Sequence, residues 1–194
     1  MSINHWIVKN LVCTLLLAVG GLNMYAQKDK YLIEAEAFQF KGKWSTDRSA
    51  DCMGSAMLRL NGGGSLDEQF DALTVVNIME EGDYNVWVRS ADYDKLPGTR
   101  LFRLSVDEKP MKESGKHGKV GFYWENAGCV QLAKKQVLLR LHDTKRNFGR
   151  CDAILLVKDH SINPNEMDRK EVGKWRKNPV KIETKGSGFD NVST

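Results

Sequence analysis

The sequence predicts an all-β fold, an antiparallel sandwich or barrel. Three observations carry that reading. Short runs alternate apolar and polar residues, turn residues separate them at a spacing of roughly 8–12 residues, and no long helical period interrupts them. The chain has 194 residues, enough for one good core and too few for two ordinary globular domains. With 41% hydrophobic against 28% charged residues, it can bury that core, which excludes a disordered chain. The 29 basic and 25 acidic residues leave a net charge of +4, too balanced to predict a nucleic-acid binder. A mean hydropathy of −0.45 excludes a polytopic membrane protein.

Residues 1–26 read as a signal peptide rather than as part of the fold. Lys9 is the only formal side-chain charge before Ala26, an apolar run from Leu11 to Leu22 follows it, and Ala26 offers a small residue for cleavage. The run is shorter than the ~20 residues of a membrane span. Asn10-Leu11-Val12 before Cys13 is not a lipoprotein pattern. The expectation is an exported protein, secreted or periplasmic, with no membrane attachment after cleavage.

Residues 27–159 then carry the strands. From Tyr31 to Phe38, Glu34 and Glu36 alternate with Ile33, Ala35 and Ala37. Ala56 to Leu60 is a short strand closed by the turn Asn61-Gly62-Gly63-Gly64, and Leu73 to Ile78 is another. Glu81-Gly82-Asp83 turns into Tyr84 to Ser90, where Tyr84, Val86 and Val88 face one way and Asn85, Trp87 and Arg89 the other. Leu101 to Val106 alternates until Asp107-Glu108-Lys109-Pro110 breaks it. Tyr123-Trp124, Val130 to Leu132, Val137 to His142 and Ala153 to Val157 complete the set. Residues 160–194 lose the alternation and form a C-terminal extension. Pro164 can open a short helix through Met167, Val172 and Trp175, and Lys185-Gly186-Ser187-Gly188 resembles linker.

Signal cleavage leaves Cys52, Cys129 and Cys151, so at most one disulfide forms and a disulfide-dense scaffold is excluded. Cys129 and Cys151 sit beside strand-like runs, where buried unpaired cysteines are expected.

Most catalytic signatures are missing. No serine stands in Gly-x-Ser-x-Gly, the glycines near Asn61 lack a following Lys-Ser/Thr, and there is no Cys-x-x-Cys. The pair His142-Asp143 reads as a surface pair rather than a metal site.

Two constellations remain. The first gathers Trp44, Tyr93, Tyr123 and Trp124 with Asp92, Glu125, Asn126, Asn147 and Arg150 near strand ends. A sugar offers an apolar face and a rim of hydroxyls, so flat rings beside planar amides, carboxylates and guanidinium groups make its natural receptor. The second is Glu34 and Glu36 with Asp152, hard oxygen donors that suit calcium or, alternatively, pair with an arginine such as Arg150.

Three segments then come in a familiar order: Tyr31-Leu-Ile-Glu-Ala-Glu-Ala-Phe38, Gly82-Asp-Tyr-Asn-Val-Trp-Val-Arg-Ser-Ala91 and Arg150-Cys-Asp-Ala-Ile-Leu-Leu-Val157. Over roughly Tyr31 to Asp159 the chain resembles galactose-binding-like carbohydrate-binding modules of families six and thirty-five. A closer resemblance is to the N-terminal module of exported Bacteroides-type FAD-dependent oxidoreductases, through His117-Gly118, Trp124-Glu125, Leu141-His142-Asp143 and Gly149 to Ile154.

The resemblance implies a jelly-roll β-sandwich and a non-catalytic glycan-binding module for a polysaccharide or oligosaccharide. Asp92, Tyr93, His117, Trp124, Glu125, Asn147 and Arg150 would line its site. It places a structural calcium between Glu34, Glu36 and Asp152. The alternative is an accessory module beside a flavin enzyme domain encoded downstream. No flavin is expected in this chain, which carries no Gly-x-Gly-x-x-Gly.

Overall fold

The computed structural model describes residues 28–61, 67–144 and 148–181. The signal-peptide reading, the linker-like Lys185–Gly188 and the site candidate Asn147 lie outside them. The chain forms a β-sandwich of two antiparallel sheets, one of the two architectures the strand pattern predicts, in the jelly-roll form that the resemblance implies.

Among the described residues ten strands build it: β1 (Lys30–Glu34), β2 (Ser45–Arg48), β3 (Ala56–Arg59), β4 (Ala72–Asn77), β5 (Gly82–Ala91), β6 (Phe102–Val106), β7 (Lys109–Ser114), β8 (Phe122–Leu132), β9 (Gln136–His142) and β10 (Arg150–Val157). One sheet runs β2-β3-β10-β5-β8, with β1 also paired to β10; the other runs β4-β9-β6-β7. Alternation positions most of them. Tyr84, Val86 and Val88 enter the core between the sheets and meet Phe102, Leu104 and Val106 from the opposite sheet.

β10 breaks the alternation, because it is buried on both faces. Ile154 and Leu156 join the central core. Ala153, Leu155 and Val157 join a second apolar cluster on the outer side of the sheet. That second cluster is covered by the C-terminal segment. A 3-10 turn (Pro164–Glu166) and a short helix, α1 (Arg169–Gly173), press Val172, Ile162, Met167 and Trp175 onto Leu32, Trp124 and Leu155. A five-residue helix has no stability of its own. Asp168 caps it by accepting from Lys170 N, and fully buried Val172 anchors it. The predicted single helix through Trp175 is therefore two short pieces, anchored on the sheet by buried Pro164 and Val172.

Other expectations are corrected locally. β1 stops at Glu34 and a 3-10 turn (Ala35–Ala37) follows, so Glu34 and Glu36 do not share a strand face. Tyr123-Trp124 and Val130–Leu132 are the two ends of one strand, β8, bulged at Ala127 where Val86 pairs Gly128 and Trp87 pairs Asn126. Asp107 and Glu108 do break the chain, with φ of 51° and 65°, but as the two-residue turn of a hairpin into β7. All three described cysteines are free; Cys52 and Cys151 are buried, and Cys129 is exposed, contrary to expectation. Burial pushes the Cys52 thiol up to about 12 and the Cys151 thiol upward as well, which makes both unreactive.

Candidate functional site

The loops leaving β5, β7 and β9 meet at one end of the sandwich, and two acids, buried Asp92 and half-buried Glu125, hold the first two there. Asp92 follows directly on β5 and is 3% exposed. Its carboxylate accepts from Tyr93 N (2.7 Å), Gly98 N (3.1 Å) and Gly118 N (2.8 Å), so it organises two loops at once. Glu125 on β8 accepts from Ser90 Oγ (2.5 Å), Gly115 N (2.7 Å) and Lys116 N (3.3 Å). His117 Nδ1 accepts from Lys119 N (3.0 Å), which leaves Nε2 to donate to Ser90 O (3.1 Å) as a neutral ring. These three predicted residues are placed together, and they shape the loops rather than line an open pocket.

The loops they fix leave a pocket of about 220 Å³ lined by Tyr93, Thr99, Arg100, Phe148 and Arg150. Tyr93 and Phe148 are 39% and 47% exposed, two large rings left open to solvent. Arg100 donates to Asp92 O (2.8 Å) and sits 5.7 Å from the Tyr93 ring centroid. Arg150 Nε is buried without a hydrogen-bond partner. Tyr93 and Arg150 were predicted. Arg100 and Phe148 were missed, although Phe148 stands beside Gly149 at the entry to β10, where a turn can present a ring.

Two glycines set the pocket's walls. A Cβ on Gly149 would lie 3.1 Å from Trp44 and 3.2 Å from Phe102, so any larger residue between Phe148 and Arg150 would press on these core side chains. Gly115 has φ of +85°, and its Cβ would collide with the Arg100 carbonyl oxygen at 2.0 Å.

The remaining aromatic candidates lie elsewhere. Trp44 is buried edge-on against Phe102, with ring centroids 5.6 Å apart. Trp124 is 6% exposed beneath the C-terminal segment, its backbone bracketed by Asn165 at 3.0 and 2.9 Å. It was expected to be a sugar platform because a tryptophan beside Tyr123 and Glu125 suits one; its ring instead fills the outer apolar cluster. His142 pairs with Asp71 (2.9 Å).

Glu34, Glu36 and Asp152 do converge, around Gly54 and Met53. A Cβ on Gly54 would stand 2.5 Å from Glu36 and 2.6 Å from Glu34, and Glu34 and Asp152 both act electrostatically on Glu36. Each carboxylate already has partners. Arg89 and Met53 N bond Asp152, Arg176 grips Glu34, and Ser55 N and Ala56 N bond Glu36 Oε1. Glu36 Oε2 is buried without a partner, yet one such oxygen is not a coordination shell. Among the described residues no group of His, Cys, Asp or Glu is arranged to hold a metal ion. With two guanidinium groups among the carboxylates, the residues as arranged do not fit a bound cation, and the neutralising arginines are Arg89 and Arg176 rather than Arg150.

Compared by sequence, the chain matches no protein-family model and no curated protein. Compared by structure, it is similar to the GH26-CBM35 β-(1,4)-mannanase of Podospora anserina (17% identity, TM-score 0.54), with 71% of this chain covering 30% of that one. It is also similar to a family 35 carbohydrate-binding module from Clostridium thermocellum (18% identity, TM-score 0.52, 65% and 97% covered). A third likeness is to the C-terminal CBM6 of LamC, a marine laminarinase of Zobellia galactanivorans (15% identity, TM-score 0.52, 67% and 100% covered). The chain has the jelly-roll fold of these carbohydrate-binding modules. Identities this low speak for the fold alone, and none of the three likenesses is to a flavin enzyme. The chain spans less than a third of the mannanase and nearly the whole length of the two isolated modules.

Proposed function

We propose that the chain is an exported, non-catalytic glycan-binding module. One observation carries the reading: two exposed rings, Tyr93 and Phe148, flank two guanidinium groups in a pocket whose loops are fixed by buried Asp92. Rings stack on the C–H face of a sugar while the guanidinium groups donate to its oxygens. The shared module fold supports this without deciding it. One shallow pocket buries little area and pays the ordinary cost of association, so affinity is weak for a single site.

Affinity electrophoresis of the full chain against plant, host and bacterial polysaccharides tests the reading. Retardation by at least one polysaccharide, abolished in Tyr93→Ala and in Phe148→Ala, supports it. Unretarded migration on all of them rejects it and favours an accessory module, perched beside a catalytic or flavin domain. One observation favours that alternative: Asp92, His117 and Glu125 are all occupied by their own loops and offer nothing to a ligand.

A further inference from the structure

The charge lining the loop-end pocket is one-sided. Its residues are Tyr93, Thr99, Arg100, Phe148 and Arg150, two cations and no carboxylate. Elsewhere five arginines meet acids: Arg59 pairs with Asp47, Arg89 with Asp152, Arg103 with Glu113, Arg140 with Asp71 and Arg176 with Glu34, while Arg48 and Arg169 are exposed to solvent. Among the described residues Arg100 and Arg150 have no such partner. Of the acids that act on these guanidinium groups, Asp92 is committed to three backbone N–H groups and Asp47 to Arg59 at 3.0 Å, and Asp94, which acts on Arg100, is not among the pocket's lining residues. Burial lowers the basicity of both guanidinium groups, and Arg100 and Arg59 lower that of Arg150 further. Both nonetheless stay charged. A neutral sugar would need acceptors for its hydroxyl protons, and the side chains lining this pocket offer only two, the hydroxyl oxygens of Thr99 and Tyr93, against two guanidinium donors.

From these observations we infer that the pocket takes an acidic sugar, one bearing a carboxylate or a sulfate. The inference rests on the glycan-binding reading and names its ligand class. A planar guanidinium matches two oxygens of such a group at once, and Arg150 Nε, buried and unpartnered, is one donor of that fork. The anion supplies the counter-charge that the fold omits, while the sugar ring lies against Tyr93 or Phe148.

The test is titration calorimetry of the full chain with polygalacturonate, its methyl ester, a sulfated galactan, the same galactan desulfated, a neutral β-glucan and polyglutamate. Binding to polygalacturonate but not its ester assigns a carboxylate; binding to the sulfated but not the desulfated galactan assigns a sulfate. In either case affinity should fall with added salt. Arg150→Gln should then weaken binding by about tenfold or more, and Arg150→Lys should restore only part of it, because the charge returns without the fork. Lys134→Gln, an equal charge change in the β8–β9 turn at the opposite end of the sandwich, should leave binding unchanged. Unchanged melting temperatures separate these effects from misfolding. Equal binding to acid and ester, binding only to neutral glucan, or equal binding to polyglutamate overturns the inference. The first two outcomes leave the glycan-binding reading standing, whereas binding to no glycan removes both.

Discussion

Arg89 lays its guanidinium on the carboxylate of Asp152, at the place where β5 and β10 slip register. Asp152 is fully buried and Arg89 nearly so, so neither can be rehydrated if the other leaves. Removing one partner of a buried pair typically costs about 3–5 kcal/mol. Arg89→Ala should therefore destabilise the fold by about 3 kcal/mol, less at acid pH, where Asp152 can take up a proton. Because Arg89 and Arg176 neutralise this cluster, the melting temperature should be the same in millimolar calcium and in excess chelator. A calcium-dependent rise would restore the ion to the site.

Glu36 gives a pH signature. Burial raises its carboxyl above the ordinary 4.5, and the charges of Glu34 and Asp152 raise it further. A raised acid contributes stability that is full below the unfolded value and is lost as pH rises through the folded one. Glu36→Gln keeps an acceptor for Ser55 N and Ala56 N while removing the charge. In urea denaturation at about pH 8 this variant should be more stable than the parent, the advantage vanishing below about pH 4.5. Equal or lower stability at the alkaline end contradicts the account.

Gly149→Ala tests how the pocket is built. The added methyl meets Trp44, Phe102 and Leu60 at 3.1–3.3 Å, and overpacking of this kind costs about 1–3 kcal/mol. Since Phe148 and Arg150 flank the glycine, glycan retardation should weaken along with stability. A variant that melts lower yet binds as before would show that the pocket is not set by this contact.

Asn165 ties the C-terminal segment to the sheet through both backbone groups of Trp124. Asn165→Ala strands two polar groups in a partly buried site and should cost about 1–3 kcal/mol. Hydrogen exchange should quicken at Trp124 and Val172 before it does at Val86. Uniform quickening would mean that the segment and the sandwich open as one unit.

The sequence made the central strands legible because their burial is one-sided. Tyr84, Val86 and Val88 declare a core face in any pleated strand. β2 and β7 passed unseen. They lie at sheet edges, where Ser45-Thr46-Asp47-Arg48 and Lys109-Pro110-Met111-Lys112 pair through backbone with little to bury, and an edge tolerates Pro110. The pocket was half legible. Tyr93 and Arg150 were found because sugar chemistry names their residue types. Trp124 was misplaced because the cover over the outer sheet face comes from residues about forty positions away. Arg100 belongs to the pocket only because Gly115 and Asp92 fold two loops onto it, a relationship that spacing cannot express.

The path of the C-terminal segment has a consequence for how copies of this protein behave at high concentration. Residues 175–177 hydrogen-bond the free side of β1 at Leu32, Val180 N reaches the free side of β4 at Val75, and Phe40 pairs with Leu73 beside it. An open strand edge is a template for another chain, and these contacts occupy such edges on both sheets along one flank. The tail thus works as a guard against strand-to-strand aggregation. A chain trimmed back to Lys158 would keep Phe40 on Leu73 but expose β1 at Leu32 and β4 at Val75, together with the apolar surface of Leu32, Leu155 and Val157.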